Sequence, residues 1–144
     1  MKLNKKKFIL ALAVFNSYSN LENILFNIKN SSFNKLIKEI VIVDNDSNLL
    51  KKDKIKKIKS LSKKFHKKIH LIINSKNYGL GGSQKILFNY LNKKKFDFFI
   101  NAHTTGRYKI LNQLKFLNKI QNYEYILASR FLNKDNTKSY SILR

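Results

Sequence analysis

Two of the eight acidic residues in this chain, Asp44 and Asp46, stand together in the run Val41-Ile42-Val43-Asp44-Asn45-Asp46-Ser47. An apolar stretch that ends in carboxylates places them at the exit of a buried strand. A carboxylate there accepts hydrogen bonds from a nucleobase or a ribose. Asp and Asn also cap helices and turns, and the local sequence leaves both roles open. Three of the four glycines are Gly79, Gly81 and Gly82. Glycine between a strand and a helix permits positive φ and close approach of backbone to a phosphate or ribose, and it equally serves a tight turn. Two familiar phosphate motifs are excluded: Gln84 stands where a dinucleotide fingerprint needs glycine, and no Gly-Lys-Ser/Thr precedes the helix. The run His103-Thr104-Thr105-Gly106-Arg107 offers an imidazole that can ligate a metal, move a proton, or sit satisfied in a loop. Arg130 follows an apolar run; its planar fork suits a phosphate, and it equally fits the surface of a basic protein.

These side chains need a scaffold, and the apolar pattern supplies one. Phe8–Val14 is a continuous apolar run, as expected of a strand covered on both faces. A helix is predicted from Asn20 to about Asn30, with Leu21, Ile24, Leu25 and Ile28 on one side. Glu39–Val43 is a second strand. Leu50 to Lys68 reads as a helix carrying ten lysines, with Ile55, Ile58, Leu61 and Phe65 at helical spacing. Ile69–Ile73 is a third strand, and a helix is predicted from about Ser83 to Leu91. Phe96–Ile100 is a fourth strand, followed by a polar loop over 101–108. A helix over Ile110–Ile120 and a fifth strand over Tyr123–Ala128 complete the pattern. Alternation of this kind predicts an α/β fold, a doubly wound and mostly parallel sheet with helices on both faces. Ligands bind such sheets at the carboxyl ends of the strands, where the polar clusters fall.

Composition bounds the function. The 144 residues suffice for one domain with a core, and 43% of them are hydrophobic. There is no cysteine, hence no disulfide and no thiolate metal site. The net charge of +22 attracts phosphates and anionic surfaces, although the abundance of Lys, Asn, Ile and Phe also reflects an AT-rich coding bias. The basic start and the apolar run after it mimic a signal peptide, but eight apolar residues are short for one, and nothing approaches the roughly 20 needed to span a bilayer. The lysine-rich segment Leu50–Lys68 is either a solvated helix or a surface for anionic membrane. No helix-turn-helix or aromatic RNA-binding pattern supports specific nucleic-acid binding.

Four segments, in order, are similar to those of the family 2 glycosyltransferases with the GT-A fold. Val14-Phe15-Asn16-Ser17 resembles the exit of that family's first strand. Val41 to Ser47 resembles its Val-Val-Asp-Asp/Asn-x-Ser segment, and Asn77-Tyr78-Gly79-Leu80-Gly81-Gly82-Ser83 its Asn-x-Gly-x-Gly-x-Ala segment. Ala128-Ser129-Arg130-Phe131 resembles its Gly-Ser-Arg-Phe segment. The likeness runs over about residues 7 to 144, so the chain is expected to be a single GT-A nucleotide-sugar-binding domain, 1–144. Within that family it resembles the polyprenyl- and dolichyl-phosphate sugar transferases and the surface-polysaccharide transferases.

The resemblance implies an inverting transfer of a sugar from a nucleotide diphosphate-sugar to a glycan or polyprenyl-phosphate acceptor, in the cytoplasm or at the inner face of the membrane. It implies a donor site built from Asn16, Asp44, Asp46, Asn77, Gly79, Gly82, His103 and Arg130. It also implies a divalent cation, manganese or magnesium, held by an Asp-x-Asp motif after the fourth strand. Here that register reads His103-Thr104-Thr105. His103 and Thr105 are then the candidate ligands, a poor set for a hard cation that prefers carboxylates. No catalytic base or acceptor pocket is assignable. The family carries those elements further along than this chain extends, as expected of a truncated product, half of a split enzyme, or a catalytically degenerate binding homologue.

Overall fold

A computed structural model describes residues 6–104, 110–114, 117 and 126. The expected fifth strand, the helix beyond Leu114, Thr105 and Arg130 lie outside the described residues. The chain divides into two compact units, Met1–Leu111 and Asn112–Arg144, and the first carries the sheet.

Four strands form that sheet: β1 (Phe8–Val14), β2 (Ile37–Asp44), β3 (Lys68–Ile73) and β4 (Phe98–His103), in the order β3-β2-β1-β4. Every pairing is parallel, with Leu10 opposite Ile40 and Ile100. The helices are α1 (Tyr18–Lys29), α2 (Lys51–Phe65), α3 (Gly79–Leu91) and the short α4 (Ile110–Leu114), with a 3-10 turn at Ser32–Lys35.

The order follows from right-handed crossovers. β1, β2 and β3 advance in one direction, so α1 and α2 lie on one face. The chain then returns past β1 to β4, which puts α3 on the other. The packing agrees. Ile9, Ala11, Val41 and Val43 share one face of the sheet and form a core cluster with Leu87 and Leu91 of α3. Their neighbours Leu10, Leu12, Ile40 and Ile42 point the other way and are equally buried. On that side α1 packs with α2. The Lys29 ammonium lies 5.7 Å from the centre of the Phe65 ring, and Lys64 pairs with Glu22 at 2.7 Å. Burial of each large aliphatic side chain stabilises the fold by about 1.5–3 kcal/mol.

α1 and β2 begin two residues earlier than the sequence expectation, at Tyr18 and Ile37, and three further elements differ in ways that bear on the site. α3 begins at Gly79, not Ser83, so the glycines form its first turn instead of a loop before it. β4 runs from Phe98 to His103, not from Phe96 to Ile100, because parallel pairing with β1 continues as far as Ala13 opposite His103. Asn101 and His103 are therefore strand residues. α2 stops at Phe65 because His66 turns left-handed, with φ 50°, and the Lys67 N–H closes onto the Ser62 carbonyl at 3.2 Å.

Candidate functional site

The buried polar side chains of the described residues are Ser17, Asp44, Asn45, Ser47, Lys54, Asn74, Ser83 and Thr104. All eight lie at the carboxyl end of the sheet or in the first turns of the helices that leave it. Burying polar groups is unfavourable unless each finds a partner, so this end of the molecule is specified by hydrogen bonding where the rest is specified by packing.

Asp44, the last residue of β2, is the centre of the network. It is fully buried. Tyr18 donates its hydroxyl to Oδ2 at 2.6 Å, and Oδ1 accepts from the Lys54 ammonium at 2.7 Å and from the Ser47 N–H at 2.9 Å. Lys54 itself is only 4% exposed. Burial alone would raise the Asp44 pKa; Lys54, Tyr18 and Ser47 outweigh it and hold the carboxyl below its ordinary value. Burial and the adjacent carboxylate push the Tyr18 phenol well up. The sequence marked Asp44 as a base-contacting acceptor. Its oxygens are committed to internal donors and none of its surface is open.

Asn16 and Asp46 remain at the surface. Both hold left-handed backbone, with φ 49° and 63°, a conformation Asn and Asp tolerate better than other non-glycine residues. The Asn16 N–H donates to Ser47 Oγ at 2.9 Å, and its side-chain oxygen accepts the Asn48 N–H at 2.8 Å. This ties the exit of β1 to that of β2. Asp46 makes no hydrogen bond or ion pair among the described residues, so its carboxylate is open to a ligand. Phe15, which precedes Asn16 in the loop after β1, is 51% exposed.

A second set of bonds fastens the β2 exit to the β3 exit. The Asn45 side-chain oxygen accepts from Asn74 Nδ2 and from the Tyr78 N–H, each at 3.0 Å, and its amide donates to Asn77 Oδ1 at 2.7 Å. Asn77 Oδ1 also accepts the Gly79 N–H at 2.8 Å. Asn74 reaches on to Ser83 Oγ at 3.2 Å. Gly79 has φ 68°, which glycine adopts without penalty. Gly82 has another purpose: a Cβ there would collide with Cβ of Tyr78. The glycines thus let α3 start against the loop, leaving Tyr78 and Leu80 exposed at the rim.

The third tie crosses the gap between β1 and β4, where the strand order reverses. Thr104 donates its hydroxyl to the Ala13 carbonyl at 2.9 Å. Its one proton being used, Ser17 is the donor in the 2.5 Å contact between the two hydroxyls. Ser17 precedes α1 yet makes no side-chain cap to it; its hydroxyl is turned toward Thr104 instead.

His103 ends β4 half-buried, and burial holds its pKa below the ordinary value, favouring neutral imidazole. No group of three His, Cys, Asp or Glu side chains that could hold a metal comes together among the described residues. Asp44 is committed to Lys54 and Thr104 to Ser17 and Ala13. At the end of β4 the described donors, His103 and the engaged Thr104, bring no carboxylate to a hard divalent cation.

Of the residues singled out from sequence, Asn16, Asp44, Asp46, Asn77, Gly79, Gly82 and His103 all fall at this end of the sheet. Asn16 and Asp46 lie in loops joined through Ser47, and Asn77 is joined to them through Asn45. Sequence reading missed Tyr18, Lys54, Asn74 and Ser83. One signal was available: Lys54 lies in phase with Ile58, Leu61 and Phe65, on the stripe that faces the core.

Comparison with known proteins places this geometry. No curated protein matches the chain. Two crystal structures of S. aureus TarS residues 1–349, one in complex with UDP, share the fold at a TM-score of 0.55 and 15% identity. Each match covers 88% of this chain and 40% of TarS 1–349, so the chain spans less than half the length of that relative. The profile of Glycosyl transferase family 2 matches residues 10–143, and the chain, a GT-A-like α/β domain, belongs to that family.

Proposed function

We propose that this chain recognises the nucleotide diphosphate-sugar donor of a glycosyl transfer whose acceptor is a lipid-linked phosphate or a glycan. The observation that carries the reading is the division of labour at the carboxyl end of the sheet. Eight buried polar groups are consumed in fixing the loops, while Phe15 and Asn16 on the loop after β1 and Asp46 on the loop after β2 stay exposed. A ring stacked on Phe15 and an N–H or hydroxyl donated to Asp46 would hold a nucleoside, an arrangement of apolar wall and few polar anchors common to small-ligand sites. Asp44 acts behind them, holding the 44–48 turn through Ser47. The UDP held by the TarS neighbour, a protein of the same fold, agrees with this reading.

The diphosphate would extend toward the end of β4, at His103 and the adjoining Thr104. Departure of a nucleoside diphosphate needs positive charge at its oxygens. Arg130 can supply it through its guanidinium, where a cation would otherwise serve. The donor set on β4 favours a second reading, a homologue that binds donor without transferring its sugar.

Thermal melts with UDP, GDP and their sugars test the proposal. At a ligand concentration of about 100 Kd the expected gain is ~2.7 kcal/mol. Asp46→Asn should weaken binding about tenfold or more, the loss of a charge-assisted hydrogen bond, without lowering the melting temperature of the free protein. Absence of any shift with all four ligands at millimolar concentration would refute donor recognition. Binding with no sugar release in magnesium or manganese would favour the second reading.

A further inference from the structure

α2 carries two opposed ridges. Lys54, Ile58, Leu61 and Phe65 face the core and are buried. Lys52, Lys56, Lys59 and Lys63 repeat the same spacing of four, three and four residues on the opposite side, and all four are exposed. None of these four ammonium groups has a hydrogen bond or ion pair among the described residues. Like charges three and four residues apart on a helix repel. Lys51 and Lys52 also stand in the first turn, at the positive end of the helix dipole, where cations are disfavoured. Asp53 is the only acid on the helix. The ridge is unfavourable for the isolated chain and becomes favourable against an opposing negative surface.

The residues beside the ridge define that surface. Leu50 is 62% exposed, Leu49 43% and Ile55 38%, clustered at the start of α2. Aliphatic side chains gain nothing from a phosphodiester backbone. They gain from a hydrocarbon interior, and lysines flanking aliphatics let the stems enter an interface while the ammonium groups stay among headgroups. α2 carries no arginine, the residue best suited to pairing with individual phosphates. We propose that the outer face of α2, with Leu49, Leu50 and Ile55, docks on an anionic lipid bilayer. Because α2 leaves the carboxyl end of β2, the leucines lie at the same end of the sheet as the candidate donor site. Docking would bring that end to the lipid surface. The proposal does not depend on what the site binds.

Vesicle co-sedimentation of the full chain tests it, comparing phosphatidylcholine alone with mixtures containing phosphatidylglycerol. Binding should need the anionic lipid and weaken with salt. Each lysine near such a surface contributes about fivefold in partition, so K52Q/K56Q/K59Q/K63Q should lose at least ~30-fold. A control that removes equal charge elsewhere, K35Q/K38Q/K93Q/K95Q, should stay near wild type. L49S/L50S should lose the binding that persists at high salt. The chain has no tryptophan, so L50W is a clean reporter, and its emission should shift to the blue on anionic vesicles only. Circular dichroism confirms that each surface variant is folded. Equal loss in the two quadruple variants would overturn the proposal, since net charge would then suffice. An unshifted L50W, or RNA binding through the same lysines with no effect of L49S/L50S, would overturn it in favour of a polyanion partner.

Discussion

Lys54→Met removes the ammonium from a carboxylate that is fully buried, and its consequence can be worked through in detail. Lys54 is 4% exposed and 2.7 Å from Asp44 Oδ1. Breaking a buried ion pair from one side costs about 3–5 kcal/mol, because the remaining charge is left in a low-dielectric interior. Here Tyr18 and the Ser47 N–H still serve Asp44, so the lower end applies, about 3 kcal/mol. For a chain of 144 residues that lowers the melting temperature by roughly 10 °C. Lys54→Met/Asp44→Asn removes both charges and keeps a hydrogen-bonding group for Tyr18. It should cost ~1 kcal/mol, leaving the double variant about 2 kcal/mol more stable than Lys54→Met alone, because no unpaired charge stays buried.

The pH dependence supplies an independent check. In the wild type the Asp44 pKa is depressed. Its contribution is therefore complete above the unfolded value of about 3.9 and is lost as pH falls below that toward the folded value. In Lys54→Met burial prevails and the folded pKa rises above the unfolded one. The penalty is then relieved as the carboxyl takes up a proton, so the gap between variant and wild type narrows as pH falls from 7 toward 4. Urea unfolding followed by circular dichroism at several pH values measures both effects. A loss under ~1 kcal/mol at pH 7, or a gap constant with pH, would refute the picture of Asp44 as a charge held in place by Lys54.

Tyr18→Phe removes the donor to Asp44 Oδ2 and should cost about 1.5–3 kcal/mol, the worth of a hydrogen bond to a charged group. The folded phenol has a raised pKa, so its contribution is complete below the unfolded value of about 10 and declines as pH rises above it. The variant should accordingly show a flatter alkaline limb in melts from pH 8 to 11. Gly82→Ala forces Tyr78 Cβ, and with it the loop backbone, to move. It should destabilise by about 1–3 kcal/mol, as overpacking does. Gly81→Ala, where the added methyl meets open space, should be neutral or slightly stabilising in the same melts.

The fold was legible because its signals are periodic. β1 is a seven-residue apolar run between polar segments, and strand and helix alternate through α3. Handedness then permits few arrangements. Two of the boundaries that moved did so for tertiary reasons. β4 extends to His103 because β1 offers pairing partners that far, and α3 begins among glycines because Gly82 lets it approach Tyr78. Neither cause is written locally in the residues concerned.

The site was legible by position and only partly by role. Asp44 and Asp46 sit two residues apart and look alike in sequence, yet one is fully buried and the other is open. What separates them is Lys54 and Tyr18, one from each flanking helix. In a chain with 30 lysines and arginines, a lysine attracts no notice by type. Lys54 is distinguished only by phase, falling where α2 faces the core, and a charge in that phase requires an opposite charge within reach. Few acids can meet it from the end of the sheet where α2 begins, and Asp44 alone closes a buried strand there. The argument extends to the donor. If Asp44 is fully used in holding the 44–48 turn, selectivity for the base must come from the residues that turn presents. Asp46 is then the carboxylate whose change should alter which nucleotide binds, while changes at Asp44 should alter how well every nucleotide binds.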